Sequence, residues 1–229
     1  MRYAPILLDA DDTVFDFYAA ETFALEKALA EVGYTAPASS YLSEFRRING
    51  PLWEALEAGQ IDSQTLRVAR FSQLLPLLGL AADPATLSTR YLSYLGQADT
   101  LLPGAIEFLD AVAGKAPVVL LTNGIGVVQR SRLERSGLSA RFAAVVISEE
   151  VGSQKPDPAI FEHALTLVPE QPGLSPVMIG DGLGSDIRGA MDAGIESIWV
   201  NVRNKPKPDD ISPTWTVTSL REAIPLVVG

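Results

Sequence analysis

Polar and apolar positions along the chain fall into two regimes. From residue 16 to residue 99 apolar side chains return every three or four positions, the spacing of one face of a helix. Ala20, Phe23, Ala24, Ala28 and Val32 mark a first helix that stops at Gly33. Tyr41, Phe45, Ile48, Leu52 and Leu56 mark a second, which Gly50-Pro51 is expected to kink or break. Leu66, Ala69, Leu74 and Leu78 mark a third ending at Gly79. Asp83-Pro84 reads as the N-cap and first residue of a fourth, with Leu87, Tyr91 and Leu95 on one face.

Outside that stretch, short Leu-rich and β-branched runs alternate with helical ones. The runs are Ile6-Leu7-Leu8, Val118 to Leu121, Ala144 to Ile147, Pro176 to Ile179, Ser197 to Val200, and a short sixth at Trp215-Thr216-Val217. Helices are expected from Ala105 to Ala113, through Leu133, after the cap Asp157-Pro158, from Ser185 to Ala193, and behind a capping box of Ser219 and Glu222. Continuously apolar strands separated by helices predict an α/β fold, a doubly wound parallel sheet covered on both faces. Roughly a hundred residues separate the first two strands, far more than a crossover needs. The expectation is therefore a core of residues 1–15 and 100–229, with residues 16–99 inserted as a helical unit above the strand ends. Within that unit Phe17, Tyr18, Arg46, Arg47, Asn49 and Trp53 flank the breaks and are candidates to face a ligand.

Composition narrows the function. A net charge of -10 leaves no basic surface for a nucleic acid polymer, although one or two local cations suffice for a small phosphate. The absence of cysteine excludes a thiolate nucleophile, and a single histidine, His163, argues against a Ser-His-Asp triad. No apolar run approaches the length of about 18 residues that spans a membrane, and the N-terminus does not resemble a signal peptide, so a cytoplasmic protein, monomeric or homodimeric, is expected.

The first strand delivers Asp9, Asp11 and Asp12 within four residues. Like charges a few Å apart repel by about 1 kcal/mol in water and by several at an effective dielectric of about 20, so these acids call for a cation. Other strands end in Thr122-Asn123-Gly124 and in Gly180-Asp181, with Asp186 five residues on; Lys155 follows a strand as well. In a doubly wound sheet such ends converge on one crevice. Hydrolysis of a phosphomonoester needs a nucleophile, a proton donor and charge stabilisation. With cysteine absent, a carboxylate nucleophile remains. Asp9 takes that role, and Asp11 acts as general acid and then base. Mg2+ would be held by Asp9, Asp181 and the carbonyl of Asp11, with Asp186 helping directly or through water, Thr122, Asn123 and Gly124 binding the phosphoryl oxygens and Lys155 balancing charge.

With those residues in place, the chain resembles the haloacid dehalogenase-like (HAD) phosphatases. Asp9-Ala10-Asp11-Asp12-Thr13, Leu121-Thr122-Asn123-Gly124, Lys155-Pro156-Asp157-Pro158 and Gly180-Asp181 to Asp186 match that family's four motifs in order. The resemblance implies that the insertion is a helical C1 cap. Pro51-Leu52-Trp53, Arg132 to Leu138, Ser148 to Gly152 and Pro213 to Val217 look further like the YjjG-type pyrimidine 5'-nucleotidases, which implies a nucleoside monophosphate as substrate. Asp12 stands where the wider family has Gly, a departure that the nucleotidase branch shares. A sugar phosphate or phosphoglycolate is the alternative substrate, and a non-enzymatic binding protein on the same fold is a remote one. Asp11 favours phosphatase over dehalogenase chemistry. Lys27, the only lysine of the insertion, lies in its first helix and argues against a phosphonatase.

Overall fold

A computed structural model describes residues 1–229. Six strands, β1 (Tyr3–Leu8), β2 (Val118–Thr122), β3 (Ala144–Ile147), β4 (Ser175–Gly180), β5 (Glu196–Val200) and β6 (Trp215–Val217), form one sheet in the order β3-β2-β1-β4-β5-β6. Every pairing is parallel. The chain winds outward from β1 to β3, returns, and winds outward again from β4 to β6. The switch point lies between β1 and β4, where a crevice opens at the carboxyl ends.

Alternate residues of the central strands serve opposite faces. Ile6 and Leu8 join Val118, Leu120, Val177 and Ile179 in one apolar cluster, whereas Leu7 joins Val119, Leu121 and Met178 in another. Helices cover both faces, as two-sided burial requires. The helices of the chain are α1 (Phe17–Glu31), α2 (Leu42–Glu57), α3 (Ser63–Leu77), α4 (Pro84–Gln97), α5 (Ala105–Val112), α6 (Gly126–Arg135), α7 (Ser148–Val151), α8 (Pro158–Thr166), α9 (Arg188–Asp192) and α10 (Leu220–Val228), the sheet being covered by those from α5 onward. Phe108 and Leu109 of α5 and Ala223 and Val227 of α10 pack on the first face, Ile160 and Phe161 of α8 on the second.

The first four helices pack around an apolar cluster of their own. Its centre is an aromatic trio, Phe45, Phe71 and Tyr91, with ring centroids 5.4 to 5.8 Å apart. Ile125 and Val128, at the start of α6, belong to the same cluster, so the helical layer seats directly on the sheet-bearing half. Glu149 of α7 joins the two layers. One oxygen accepts from Ser63 Oγ at 2.6 Å and from Arg67, and the other accepts from the Gly126 amide at 2.8 Å.

Three local expectations are corrected. α2 runs unbroken through Gly50-Pro51. Part of the clash that drives the residue before proline out of the helical region involves its Cβ, which Gly50 lacks. Phe45 and Ile48 before Pro51, and Leu52 and Trp53 after it, meet the same cluster and hold the turn together. The helix expected from Ser185 opens instead as a π turn, Leu183–Ile187, in which the Ile187 amide bonds Gly182 O at 3.1 Å, before α9 continues it. Ser219 makes no side-chain cap; Glu222 accepts from the amide and the hydroxyl of Thr218, each at 2.8 Å.

Because Phe71 is fully buried among two aromatic partners, Phe71→Ala is expected to destabilise the protein by about 3–5 kcal/mol, read as a lowered urea midpoint.

Candidate active site

The strand register sets the floor of the crevice. Leu8 pairs with Leu120 and with Ile179, and the Asp9 amide continues the ladder by donating to Ile179 O at 2.9 Å. Asp9 is thus fixed at the tip of the central strand, 6% exposed. Beside it the buried Lys155 ammonium spends its three protons on Asp9 Oδ1 at 2.7 Å, Asp186 Oδ1 at 2.6 Å and Leu121 O at 2.8 Å. Asn123 anchors this lysine through its backbone. Its Oδ1 accepts from the Lys155 amide at 2.9 Å and its Nδ2 donates to the Lys155 carbonyl at 2.8 Å.

Asp186 is turned inward by the π turn, and its second oxygen accepts from the Gly182 amide at 2.8 Å. A Cβ on Gly180 would lie 2.2 Å from that same oxygen, so only glycine lets the carboxylate close on the strand end. Asp181 accepts from Lys205 Nζ at 2.8 Å, and its carbonyl accepts from Trp199 Nε1 at 3.0 Å. Thr122 Oγ1 accepts from the Gly124 amide at 3.0 Å, tightening the turn after β2.

Asp9, Asp181 and Asp186 each bring a carboxylate oxygen within 4.8 Å of the others. Burial pushes the Asp9 carboxyl well above its ordinary range, and the neighbouring Asp186 and Asp181 add to this against the pull of Lys155. Asp181 is pushed up to about 6, again chiefly by burial. Burial alone would lower Lys155, but Asp186 and Asp9 reverse that and hold it protonated. Even with lysines on two sides, negative charge is in excess. Hard oxygen donors that lack positive charge fit a small divalent cation.

Asp11 faces the cavity edge, with its carboxylate turned towards α6. Gln129 Nε2 donates to Oδ2 at 2.6 Å, and Arg132 pairs with Oδ1. Gln129 reaches Asp11 by crossing Gly124, where a Cβ would meet its Nε2 at 2.1 Å. Arg132 is fully buried, lies 4.3 Å over the Phe15 ring and donates from Nε to Ala98 O at 3.0 Å. Asp12 adopts a left-handed backbone, φ 56°, and accepts from Arg203 Nη2 at 3.1 Å. Asp16 caps α1, accepting from the Ala19 amide at 3.1 Å.

A cavity of about 510 Å³ covers this floor. Asp9, Asp11, Thr122, Asn123, Gly124, Lys155, Asp181 and Asp186 line it from the strand ends, and Phe17 and Trp53 from the helical layer. Arg46 is not among its walls: it bonds Glu21 Oε2 at 2.6 Å and lies 4.0 Å over the Tyr18 ring. Lys205, Asn49, Glu54 and Glu57 line the cavity as well. The run Lys205-Pro206-Lys207 follows β5, and the rule that ligands gather at carboxyl ends would have singled out Lys205. The buried Arg132 and Gln129 carry no comparable mark, since their burial depends on packing from three elements.

Fold and site together define a doubly wound α/β protein whose acidic strand ends floor a cavity beneath a helical layer. The chain belongs to the haloacid dehalogenase-like hydrolases, whose family model matches residues 5–194. It is 35% identical over 223 residues to the pyrimidine 5'-nucleotidase YjjG of Escherichia coli, covering 97% of this chain and 96% of that one. It is 36% identical over 225 residues to the pyrimidine 5'-nucleotidase PynA of Streptococcus pneumoniae, covering 98% and 94%. The crystal structure of the HAD-hydrolase YfnB of Bacillus subtilis superposes with a TM-score of 0.91 at 32% identity over 99% of both chains; that protein was bound to magnesium and shows interdomain movement.

Replacing Lys155 by Met leaves two buried carboxylates without their shared cation. A loss of about 3–5 kcal/mol is expected in chelator-treated protein. Lys155 is the main group opposing the upward push that burial gives Asp9, so without it the folded variant retains protons that its unfolded state releases, and the deficit should be larger at about pH 8 than at about pH 5. Urea titrations at both pH values measure it.

Proposed function

We propose that the chain is a magnesium-dependent phosphatase that hydrolyses nucleoside 5'-monophosphates, pyrimidine nucleotides preferred, through a phosphoaspartate on Asp9. The observation that carries this is a buried carboxylate at the tip of β1, steadied by Lys155 at 2.7 Å, opening into a cavity whose floor holds two further carboxylates. The names of two relatives matched over nearly the whole chain support the substrate class.

Asp9, Asp181, Asp186 and the carbonyl of Asp11 would hold the cation, which when bound neutralises the carboxylates and withdraws charge from the phosphoryl oxygens. Asp9 attacks phosphorus while the ester P–O bond breaks, and Asp11 hands its proton to the departing oxygen. Water then attacks the phosphoaspartate, Asp11 takes a proton from it, and phosphate leaves with Asp9 restored. Asp11 must swing from Arg132 and Gln129 to reach the ester oxygen. Lys155 keeps Asp9 oriented and offsets the incoming phosphate, and the turn at Thr122, Asn123 and Gly124 offers donors to its oxygens.

The helical layer supports an uncharged leaving group. Phe17, Asn49, Trp53, Glu54 and Glu57 line the cavity from that side, and none is a cation. A carboxylate, as in phosphoglycolate, would meet Glu54 and Glu57 across a partly buried gap, whereas a nucleoside brings an aromatic ring to Phe17 and Trp53. Residues 16–99 act in this scheme as a cap over a core of residues 1–15 and 100–229, a division supported by the apolar cluster that the first four helices build and that Ile125 and Val128 alone join from the core.

A panel of monophosphates, assayed with and without Mg2+, is expected to show metal-dependent release of phosphate with pyrimidine nucleotides ahead of phosphoglycolate. The reverse preference overturns the substrate assignment. Asp9→Asn should lower turnover by roughly 10⁴-fold or more with an unchanged circular dichroism spectrum; retained turnover removes Asp9 as nucleophile.

A further inference from the structure

One wall of the cavity holds a polar group that the scheme above leaves unused. Asn49, on α2, lies 4% exposed and lines the same cavity as Asp9. Its Oδ1 has no hydrogen-bond partner and is closed to solvent in this conformer, so it meets a ligand in the cavity by turning about the terminal torsion of the side chain. A buried amide oxygen left unpaired is costly, and native proteins retain such groups where a ligand or water completes them. Phe17 and Trp53 line the cavity with it, Trp53 lying four residues on in the same helix and hence on the same side.

We infer that Asn49 is a specificity-determining residue, its carboxamide pairing with the hydrogen-bonding edge of the substrate's base while Trp53 and Phe17 hold the ring. The inference rests on the nucleotidase reading and names the residue that carries its selectivity. A carboxamide offers one acceptor and two donors side by side, which complements the adjacent donor and acceptor of a uracil or cytosine edge. The terminal torsion of Asn is broad and nearly two-fold, so the amide presents either end without leaving a rotamer well. That latitude suits a site that accepts both pyrimidines. Of the other polar groups of this wall, Glu54 when ionised supplies no donor for a carbonyl at the edge of the base, and Glu57 is engaged with Asn123 Nδ2 at 3.4 Å. The inference is thus specific to Asn49.

The test compares kcat/KM on uridine 5'-monophosphate with kcat/KM on ribose 5-phosphate, which carries the same phosphate and sugar but no base. In the wild-type enzyme the nucleotide should be preferred; if it is not, the nucleotidase reading itself fails. In Asn49→Ala the ratio of the two values is expected to drop by roughly 10- to 100-fold, with the change concentrated in KM for the nucleotide. Asn49→Asp has nearly the same shape but loses the donor end, and it should depress the same ratio even where the alanine variant folds poorly. Should both substrates fall by one common factor in the variants, or the ratio stay at its wild-type value, Asn49 is structural and the inference is overturned while the nucleotidase reading stands.

Discussion

The site depends on one buried ammonium shared by two carboxylates from different strand ends. Lys155 reaches Asp9 at the tip of β1 and Asp186 behind β4 while donating to the Leu121 carbonyl of β2. Such a cluster is poor as a source of stability, because desolvating three charges cancels much of their attraction. It is effective at fixing position. Three strands must keep their register for the lysine to place its protons, and the Asn123 amide clamps the backbone that presents it. The net charge of the floor stays negative even so, and Asp9 is left where burial and two further acids work against its ionisation. In the proposed scheme a cation and a phosphate answer those two unmet demands together.

Much of this was legible in the chain because parallel strands buried on both faces must be continuously apolar, and the polar residue that ends each one stands out against that background. Thr122 ends a strand, Asp9 and Asp181 follow one directly, Lys155 follows β3 across the short α7, and each lines the cavity. Side chains that enter from elsewhere were harder to see. Arg132 is a charge on α6 that any helical pattern would assign to solvent, yet it is wholly buried against Phe15 and Asp11. Arg46 looked equally suited to a ligand and instead pairs with Glu21. Which of two arginines goes inward is settled by partners far off in sequence.

Two backbone features escaped for a more local reason. Proline rules describe an isolated helix, whereas α2 crosses Pro51 with apolar contacts on both sides and a glycine ahead of the ring. The π turn at Leu183–Ile187 exists because the Asp186 carboxylate folds back onto the Gly182 amide, a demand of the site and not of helix propensity. In each case a tertiary contact overrules a short-range preference, as it does most often next to functional residues.

The left-handed backbone of Asp12 bears on how this sequence can drift. An L-residue tolerates that conformation at low cost only as Gly, Asn or Asp. Of these only the acid returns a charge to Arg203, whose guanidinium lies 3.3 Å over the Tyr18 ring at the start of the helical layer. A chain with glycine at position 12 leaves that guanidinium against an aromatic face with Asp16 as its remaining acid at 3.5 Å. Positions 12 and 203 are therefore tied, and descendants of this sequence should exchange them as a pair.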